Sequence, residues 1–408
     1  MSNITPIKLP TPIDWSKKST AAQKHIHKEL DKALNSANKR NYISALVEVC
    51  SEQSSQLRNQ VASYWTPYLM GEHTLSDFFQ DWMTYTPTPA DPGQYIEYWD
   101  YLANTQNGVL LVNDSEFKPW FRKFLDFHGD WINSTSSTST LSDWMKYKGT
   151  PDHPFDINDY ERPDKNSPTG GFKSFNQFFL RNLNGTTVDY NQFCKDKASQ
   201  APVVAPCDGG IFYLNRDNNG EVVNDKTLNL PGKSGQFDLL DALPGYGPYF
   251  EGGALLDILL WFTDYHHFHA PVDGKVIHHG LYRGSYNYDF GDYDPDDFYA
   301  PDLSPSSDRV GWYEKLSKHQ RYVWIIKTEE FGLVAMIAIG FWGVGSIVNA
   351  LKDNAEITRG QYMGHFGYGG SSIVLAFHPS LDINFKVGYK PVQDPDHPVL
   401  MKVRECLG

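Results

Sequence analysis

Residues 332–351 read GLVAMIAIGFWGVGSIVNAL, a run without a single charge. Its length is that of a membrane-spanning helix. Gly332, Gly340, Gly343 and Gly345 interrupt it, however, and short β-like apolar runs fill the intervals. The reading is therefore two buried strands joined by a glycine-rich turn, not a transmembrane helix. Neighbouring runs have the same texture: APVVAPCDGGIFYL, ALLDILLWF, RYVWIIKT and SSIVLAF, each short, apolar or β-branched, and bounded by glycine or polar residues. The C-terminal part is expected to be β-rich.

Moving toward the N-terminus, the period changes. In residues 21–40, Ala22, Ile26, Leu30, Ala33, Leu34 and Ala37 form one apolar stripe at helical spacing. Thr74-Leu-Ser-Asp77 is a capping signal before FFQDWMTY, and further helices are expected at 94–105 and 118–132. Trp82, Trp99, Trp120 and Trp131 are read as core residues. The run NSTSSTSTLS (133–142) and the Gly/Pro/Asp/Asn-rich segment 149–170 read as linker. The expected fold class is α+β: a helical N-terminal domain, 1–165, ending in that linker, then a β-rich catalytic domain, 166–408. Within the latter, the acidic and aromatic segment 286–308 is either a solvated insertion or a lid.

The 408 residues carry 36 basic and 49 acidic side chains, a net charge of −13, with 14% aromatic residues. So much apolar surface argues against disorder, and the acidic balance argues against broad nucleic-acid binding. Four scattered cysteines with no CxxC pair suggest reduced thiols and a cytoplasmic protein. The first residues, MSNITPIKLPTPIDW, resemble neither a signal peptide nor a stable membrane anchor.

Three short sites can carry chemistry. In APCDGG (205–210), Asp208 precedes paired glycines, a pattern common in plain turns. DYHHFHAPVDG (264–274) places three histidines in four residues at the expected end of a buried strand. There His267 and His269 share a face and His266 points away. A zinc site competes, but no further ligand appears at a recognisable spacing and no metal is expected. In GYGGSSIV (367–374), the absence of a Cβ at Gly370 leaves room for the Ser371 hydroxyl to attack the preceding carbonyl, turning peptide into ester. The alternative, a GxSxG nucleophile elbow, does not match GGSS running into a strand.

Together these sites resemble the phosphatidylserine decarboxylase family of pyruvoyl-dependent decarboxylases. The order is kept from SFNQFFLR (174–181) through APCDGG, DYHHFHAPVDG and FGLVAMIAIGFWGVGSI (331–347) to RGQYMGHFGYGGSS (359–372). The resemblance implies self-cleavage between Gly370 and Ser371, with Ser371 becoming the pyruvoyl cofactor. It implies that Asp208 and His269 activate that serine, as an Asp–His pair suits. It further implies a substrate amine condensing with the pyruvoyl ketone as a Schiff base before CO2 leaves. His266 is the candidate for protonating the product carbanion or steering the carboxylate, and His267 is read as structural.

The usual Arg-Pro after the phenylalanine motif is missing, and KHQR (318–321) replaces the family's Asn-Glu-Arg-like turn. The helical N-terminal part, Arg40-Asn-Tyr42, the GGSS site and Asp292-Tyr-Asp-Pro295 look like a soluble fungal branch that includes a tryptophan decarboxylase. The expected activity is decarboxylation of a soluble, aromatic L-amino acid, with phosphatidylserine as the alternative substrate. The expected partner is a small amine-bearing molecule, with self-association left open.

Overall fold

The computed structural model describes residues 7–17, 20–52, 56–103, 105–151, 153–185, 203–214, 239–282, 319–330, 332–341, 346–381 and 399–407. The 286–308 segment lies outside the described residues.

Helices come first: α1 (Thr20–Ala33), α2 (Ser36–Ser51), α3 (Gln56–Leu69), α4 (Leu75–Met83), α5 (Gln94–Ala103), α6 (Gln106–Val112), α7 (Phe117–Ile132), α8 (Leu141–Trp144) and α9 (Phe175–Phe179). A short α10 (Leu239–Ala242) lies among the strands. The expected stripe from 22 to 37 is broken. Asn35 caps α2, its side chain accepting from the N–H groups of Ala37 and Asn38, and this local bond outcompetes helix continuation. Ile26, Leu30 and Ala33 are buried, whereas Ala37 is exposed on the next helix. The Thr74 signal forms a full capping box with Asp77. Trp82, Trp99 and Trp120 are buried, and Trp131 packs against the same core. The Ser/Thr-rich run is more than a tether. Ser134 and Ser137 are fully buried, and Ser137 Oγ donates to the Ile132 and Ser134 carbonyls while accepting from the N–H of Phe175. Composition alone cannot distinguish solvated hydroxyls from hydroxyls that cap backbone.

The strands are β1 (Gly209–Leu214), β2 (Leu255–Leu260), β3 (His267–His269), β4 (Gly274–Tyr282), β5 (Gln320–Lys327), β6 (Leu333–Phe341), β7 (Ile347–Asn349), β8 (Glu356–Ile357), β9 (Tyr362–Phe366), β10 (Gly370–Phe377) and β11 (Val399–Met401). Among the described residues they form one antiparallel sheet in the order β11-β1-β2-β10-β6-β5-β4-β8 and another in the order β3-β9-β7. The fold is α+β, helices then strands, and no described helix is long and apolar enough to cross a membrane.

Strand alternation makes three layers. In β6, Ala335, Ile337 and Ile339 join the core shared with the helices, while Val334, Met336 and Ala338 face the core shared with the small sheet. In β10, Val374 and Ala376 take the helix side, and Ile373, Leu375 and Phe377 the other. The 332–351 run thus yields two strands that do not pair with each other. β6 lies between β5 and β10, whereas the half-exposed β7 pairs with β9 in the other sheet. A further correction concerns the thiols. Cys50 and Cys207 are free, but Cys406 is disulfide-bonded, so the cytoplasmic reading loses one support. Sequence spacing does not register a bridge formed by tertiary approach.

Candidate active site

β10 lies between β2 and β6, so its first residues are held on both sides. Ser371 pairs with Leu260 and with Gly340, and Ser372 with Leu259 and Ile339. Leu259 in turn pairs with Gly210, which puts Gly210 and Ser372 two strands apart, about 10 Å. Continued to the strand starts, this register aligns Asp208 with Gly370 at one end of the sheet. Two glycines make that end possible. Gly209 has φ +151, and a Cβ there would lie 2.5 Å from the Leu259 carbonyl oxygen. Gly369, just before the Gly370–Ser371 peptide, has φ +145. Side chains rarely adopt this backbone region.

Ser371 is fully buried, and its Oγ has no hydrogen-bond partner. By alternation it shares the face of Ile373 and Leu375, toward the small sheet that carries the histidines. A buried hydroxyl is normally paired, and this orphan lies beside a residue that has no side chain. That arrangement fits a precursor of the pyruvoyl group: a hydroxyl free of other bonds, next to an unobstructed carbonyl.

Ser372 points the opposite way and donates to Asp257 Oδ1 on β2. Asp257 is fully buried, and its second oxygen has no partner. Burial pushes its carboxyl up to about 7. Sequence reading passed over Asp257 because one aspartate in an apolar strand run carries no spacing signal.

The histidines do not extend β2. Trp261–Tyr265 turns the chain, Asp264 Oδ2 accepting from the Trp261 N–H at 2.8 Å, and His267–His269 then form β3 against β9. Arg181, at the end of the phenylalanine-rich motif, secures this turn. It is buried over the Tyr160 ring at 4.0 Å and donates to the carbonyls of Thr263 and Asp264. His267 and His269 share a face, their rings near those of Tyr265 and Tyr362. His266 lies elsewhere, against Phe179 with ring centroids 3.9 Å apart.

Each histidine is oriented by a carbonyl. His269 Nδ1 lies 2.9 Å from the Gly360 oxygen, so this nitrogen carries the proton, and Nε2 accepts from the Tyr265 hydroxyl at 3.2 Å. His266 Nδ1 donates to the Asp264 carbonyl at 3.0 Å, leaving Nε2 buried and unpartnered. His267 Nε2 meets the Leu180 carbonyl at 3.0 Å, a structural bond. Burial lowers His266 and His269 to about 3 and drives His267 down as well, so all three are neutral near pH 7. Among the described residues no group of three or more His, Cys, Asp or Glu side chains could hold a metal ion.

Asp208 departs from the pairing that the sequence suggested. Its carboxylate accepts from Lys402 Nζ at 3.1 Å and from the Val403 N–H at 2.9 Å, while His269 is bonded to Gly360 and Tyr265. The Asp208 charge raises the Lys402 pKa. The structure thus brings Asp208, Gly370 and Ser371 to one sheet end and sets the histidines on the facing layer. Lys402 and Tyr265 are added as partners.

Such an arrangement, a serine without a partner at the start of a central strand and neutral histidines on a neighbouring sheet, suits a self-processing enzyme with a chain-derived cofactor. The profile of the phosphatidylserine decarboxylase family matches residues 175–395, more than half of the chain. The chain is 29% identical over 262 residues to a phosphatidylserine decarboxylase proenzyme of Fusobacterium nucleatum, covering 63% of this chain and 74% of the relative. It is 26% identical over 325 residues to the L-tryptophan decarboxylase of Psilocybe cubensis, covering 74% and 71%. Identity to decarboxylase iboD of Amanita muscaria is 26% over 302 residues, covering 70% and 83%. The chain belongs to the phosphatidylserine decarboxylase family and is a decarboxylase.

Proposed function

We propose that this chain cleaves itself between Gly370 and Ser371 and then removes the α-carboxylate of an aromatic L-amino acid. The observation that carries the processing step is the buried, unpartnered Ser371 Oγ beside Gly370. In that step Oγ bonds to the Gly370 carbonyl carbon and gives up its proton, and the Gly370–Ser371 amide breaks to an ester. Loss of a Ser371 Cα proton then expels the Gly370 carboxylate from Cβ. Water hydrolyses the resulting enamine, releasing ammonia and leaving a keto group at the new N-terminus. His269 is the proposed base for the hydroxyl proton. Its tautomer, fixed by Gly360, leaves Nε2 as the acceptor, with the Tyr265 hydroxyl as the link. Asp208, tied to Lys402, holds the β1 end of the site in place.

The pyruvoyl group so formed supplies an electron sink for the pair left behind by CO2. His266 Nε2, oriented by the Asp264 carbonyl, exchanges the product proton, and Phe179 keeps its ring fixed. The similarity to an L-tryptophan decarboxylase and the net charge of −13 support an amino acid over an anionic lipid. The similarity to phosphatidylserine decarboxylase proenzymes supports the second reading, phosphatidylserine itself.

Intact-mass analysis tests the first part. After reduction of the Cys406 disulfide two chains are expected, 1–370 and 371–408, the smaller beginning with a pyruvoyl group, while Ser371→Ala stays whole and inactive. Active protein found as one uncut chain refutes it. CO2 release from aromatic L-amino acids, set against phosphatidylserine vesicles, decides the substrate.

A further inference from the structure

The Gly360 carbonyl that orients His269 has a second partner. Its oxygen accepts from His269 Nδ1 at 2.9 Å and also from Arg404, through Nε at 3.0 Å and through Nη2. The guanidinium closes on Gly360 so tightly that a Cβ there would lie 2.8 Å from Arg404 Nε. The Gly360 N–H donates in turn to the carbonyl of Ala270, the residue after His269, at 2.8 Å.

Arg404 holds a backbone conformation that arginine seldom adopts. Its φ is +69, and among the described residues the other positive φ outside glycine is at Asn354. Asparagine visits this region readily, whereas a long side chain stays there only when its surroundings enforce it. Here the Arg404 N–H donates to the Ala205 carbonyl at 2.8 Å, and the Ala205 N–H donates to the Glu405 carbonyl at 2.7 Å. The Lys402 N–H donates to Glu405 Oε2 at 3.0 Å, closing a turn over 402–405. That turn reaches two parts of the site. Lys402 Nζ and the Val403 N–H hold Asp208, while Arg404 grips the carbonyl that orients His269. Asp208 and His269, bonded to different partners, are thus both tied to one turn of the 371–408 segment.

We propose that Arg404 is a positioning residue for self-cleavage: by gripping the Gly360 oxygen it fixes the His269 imidazole with Nδ1 protonated and Nε2 as the acceptor. The inference rests on His269 being the base for the Ser371 hydroxyl, as proposed above. The charge of Arg404 acts in the same direction. Burial lowers the imidazole first and Arg404 lowers it further, which keeps it neutral and able to take a proton. Other ionisable groups surround His269. Tyr265 and His267 lie on its own segment, and Tyr362 and His365 on β9. Arg359, paired with Asp273, precedes Gly360, and Glu405 follows Arg404. Asp208, matched by Lys402, follows the segment whose Pro206 carbonyl accepts from the His269 N–H.

Full-length chain made by cell-free synthesis and chased on reducing gels gives the cleavage rate as a function of pH. Arg404→Gln should slow cleavage by about tenfold or more, as a misdirected proton acceptor does. Loss of the cation raises the imidazole pKa, so the fall in rate on the acid side should begin at higher pH than in wild type. Arg404→Lys restores the charge and one donor, and should recover part of the rate and return the acid limb toward its wild-type position. Arg404→Gly suits the backbone, because glycine adopts positive φ without steric conflict. In the Ser371→Ala background it should unfold cooperatively, and with Ser371 present it should still cleave slowly, so it decides the question if the Gln chain fails to fold. Wild-type rates in the Gln and Gly variants, or slow cleavage with an unmoved acid limb and no gain from lysine, overturn the positioning role alone. A His269→Gln chain cut at the wild-type rate overturns the base, and the role of Arg404 with it.

Discussion

Lys402→Met isolates the contact between the residue before β1 and the residue after its neighbouring edge strand β11. Asp208 is fully buried and accepts from Lys402 Nζ at 3.1 Å and from the Val403 N–H at 2.9 Å. Methionine keeps the length of the side chain and removes the counter-charge, leaving a buried carboxylate with one backbone donor. Removing one member of a fully buried pair costs about 3–5 kcal/mol. The Lys402 side chain is 40% exposed, and solvent screening of that end lowers the figure to about 2–3 kcal/mol. Denaturant titration in the Ser371→Ala background, where the chain is expected to stay single, measures the loss directly. A fall of roughly 3–6 °C in Tm should accompany it. The double variant Asp208→Asn, Lys402→Met should recover most of the loss, because no unpaired charge remains, giving a coupling of about 2 kcal/mol. In the processing-competent chain, Lys402→Met should slow the appearance of the 371–408 fragment. Stability within about 0.5 kcal/mol of the parent, or strict additivity in the cycle, refutes the argument.

Two further outcomes follow from the buried titratable groups. Burial holds the Asp257 carboxyl protonated up to about pH 7, against an ordinary value of 3.8. With the folded value the higher one, its stabilising contribution is complete below about pH 4 and is lost as pH rises toward 7, at up to ~1.4 kcal/mol per unit. Asp257→Asn keeps a partner for Ser372 and removes this slope, so urea titrations from pH 5 to 8 should show the variant gaining on wild type, and parallel curves refute the assignment. His266→Gln should leave cleavage intact and lower kcat by about 10²-fold or more, whereas His269→Gln should leave the chain largely uncut. Mass analysis paired with CO2 release separates the two, and an uncut His266→Gln chain reverses their roles.

How legible the molecule was depended on whether the information was local. Strands buried on both faces read as apolar runs, so β2, β5, β6 and β10 fall where LLDILL, RYVWIIK, LVAMIAIGF and SSIVLAF predict. The Thr74 box was visible because cap and responder lie three residues apart. The break at Asn35 was missed because one side-chain bond overrides a continuous apolar stripe. The motif residues were found as motifs, but their partners were not. Lys402 lies 194 residues from Asp208, and Ser372 lies 115 from Asp257. Nothing in a single lysine or aspartate announces a partner at such distances, and the layer that each strand joins is likewise set by tertiary pairing, as β6 and β7 show.

The position of the proposed cut explains how a chain can be severed within its largest sheet and keep its shape. Downstream of the cut, 371–377 is paired to β2 and β6 along its length. Ile373, Val374, Leu375 and Phe377 are fully buried, each worth on the order of 1.5–3 kcal/mol. β11, also in the smaller fragment, adds a second strand beside β1. Upstream, among the described residues, Gly370 pairs with Phe341, the Gly367 N–H donates to the Ser346 carbonyl, and the buried Tyr368 donates to the Pro92 carbonyl and packs against Phe175 and Phe179. Cleavage would thus leave residue 371 held between β2 and β6, while the new end at Gly370 follows a segment anchored by the buried Tyr368. Both sides of the cut therefore keep their place in the core, which positions the new N-terminus at residue 371 for the chemistry that follows.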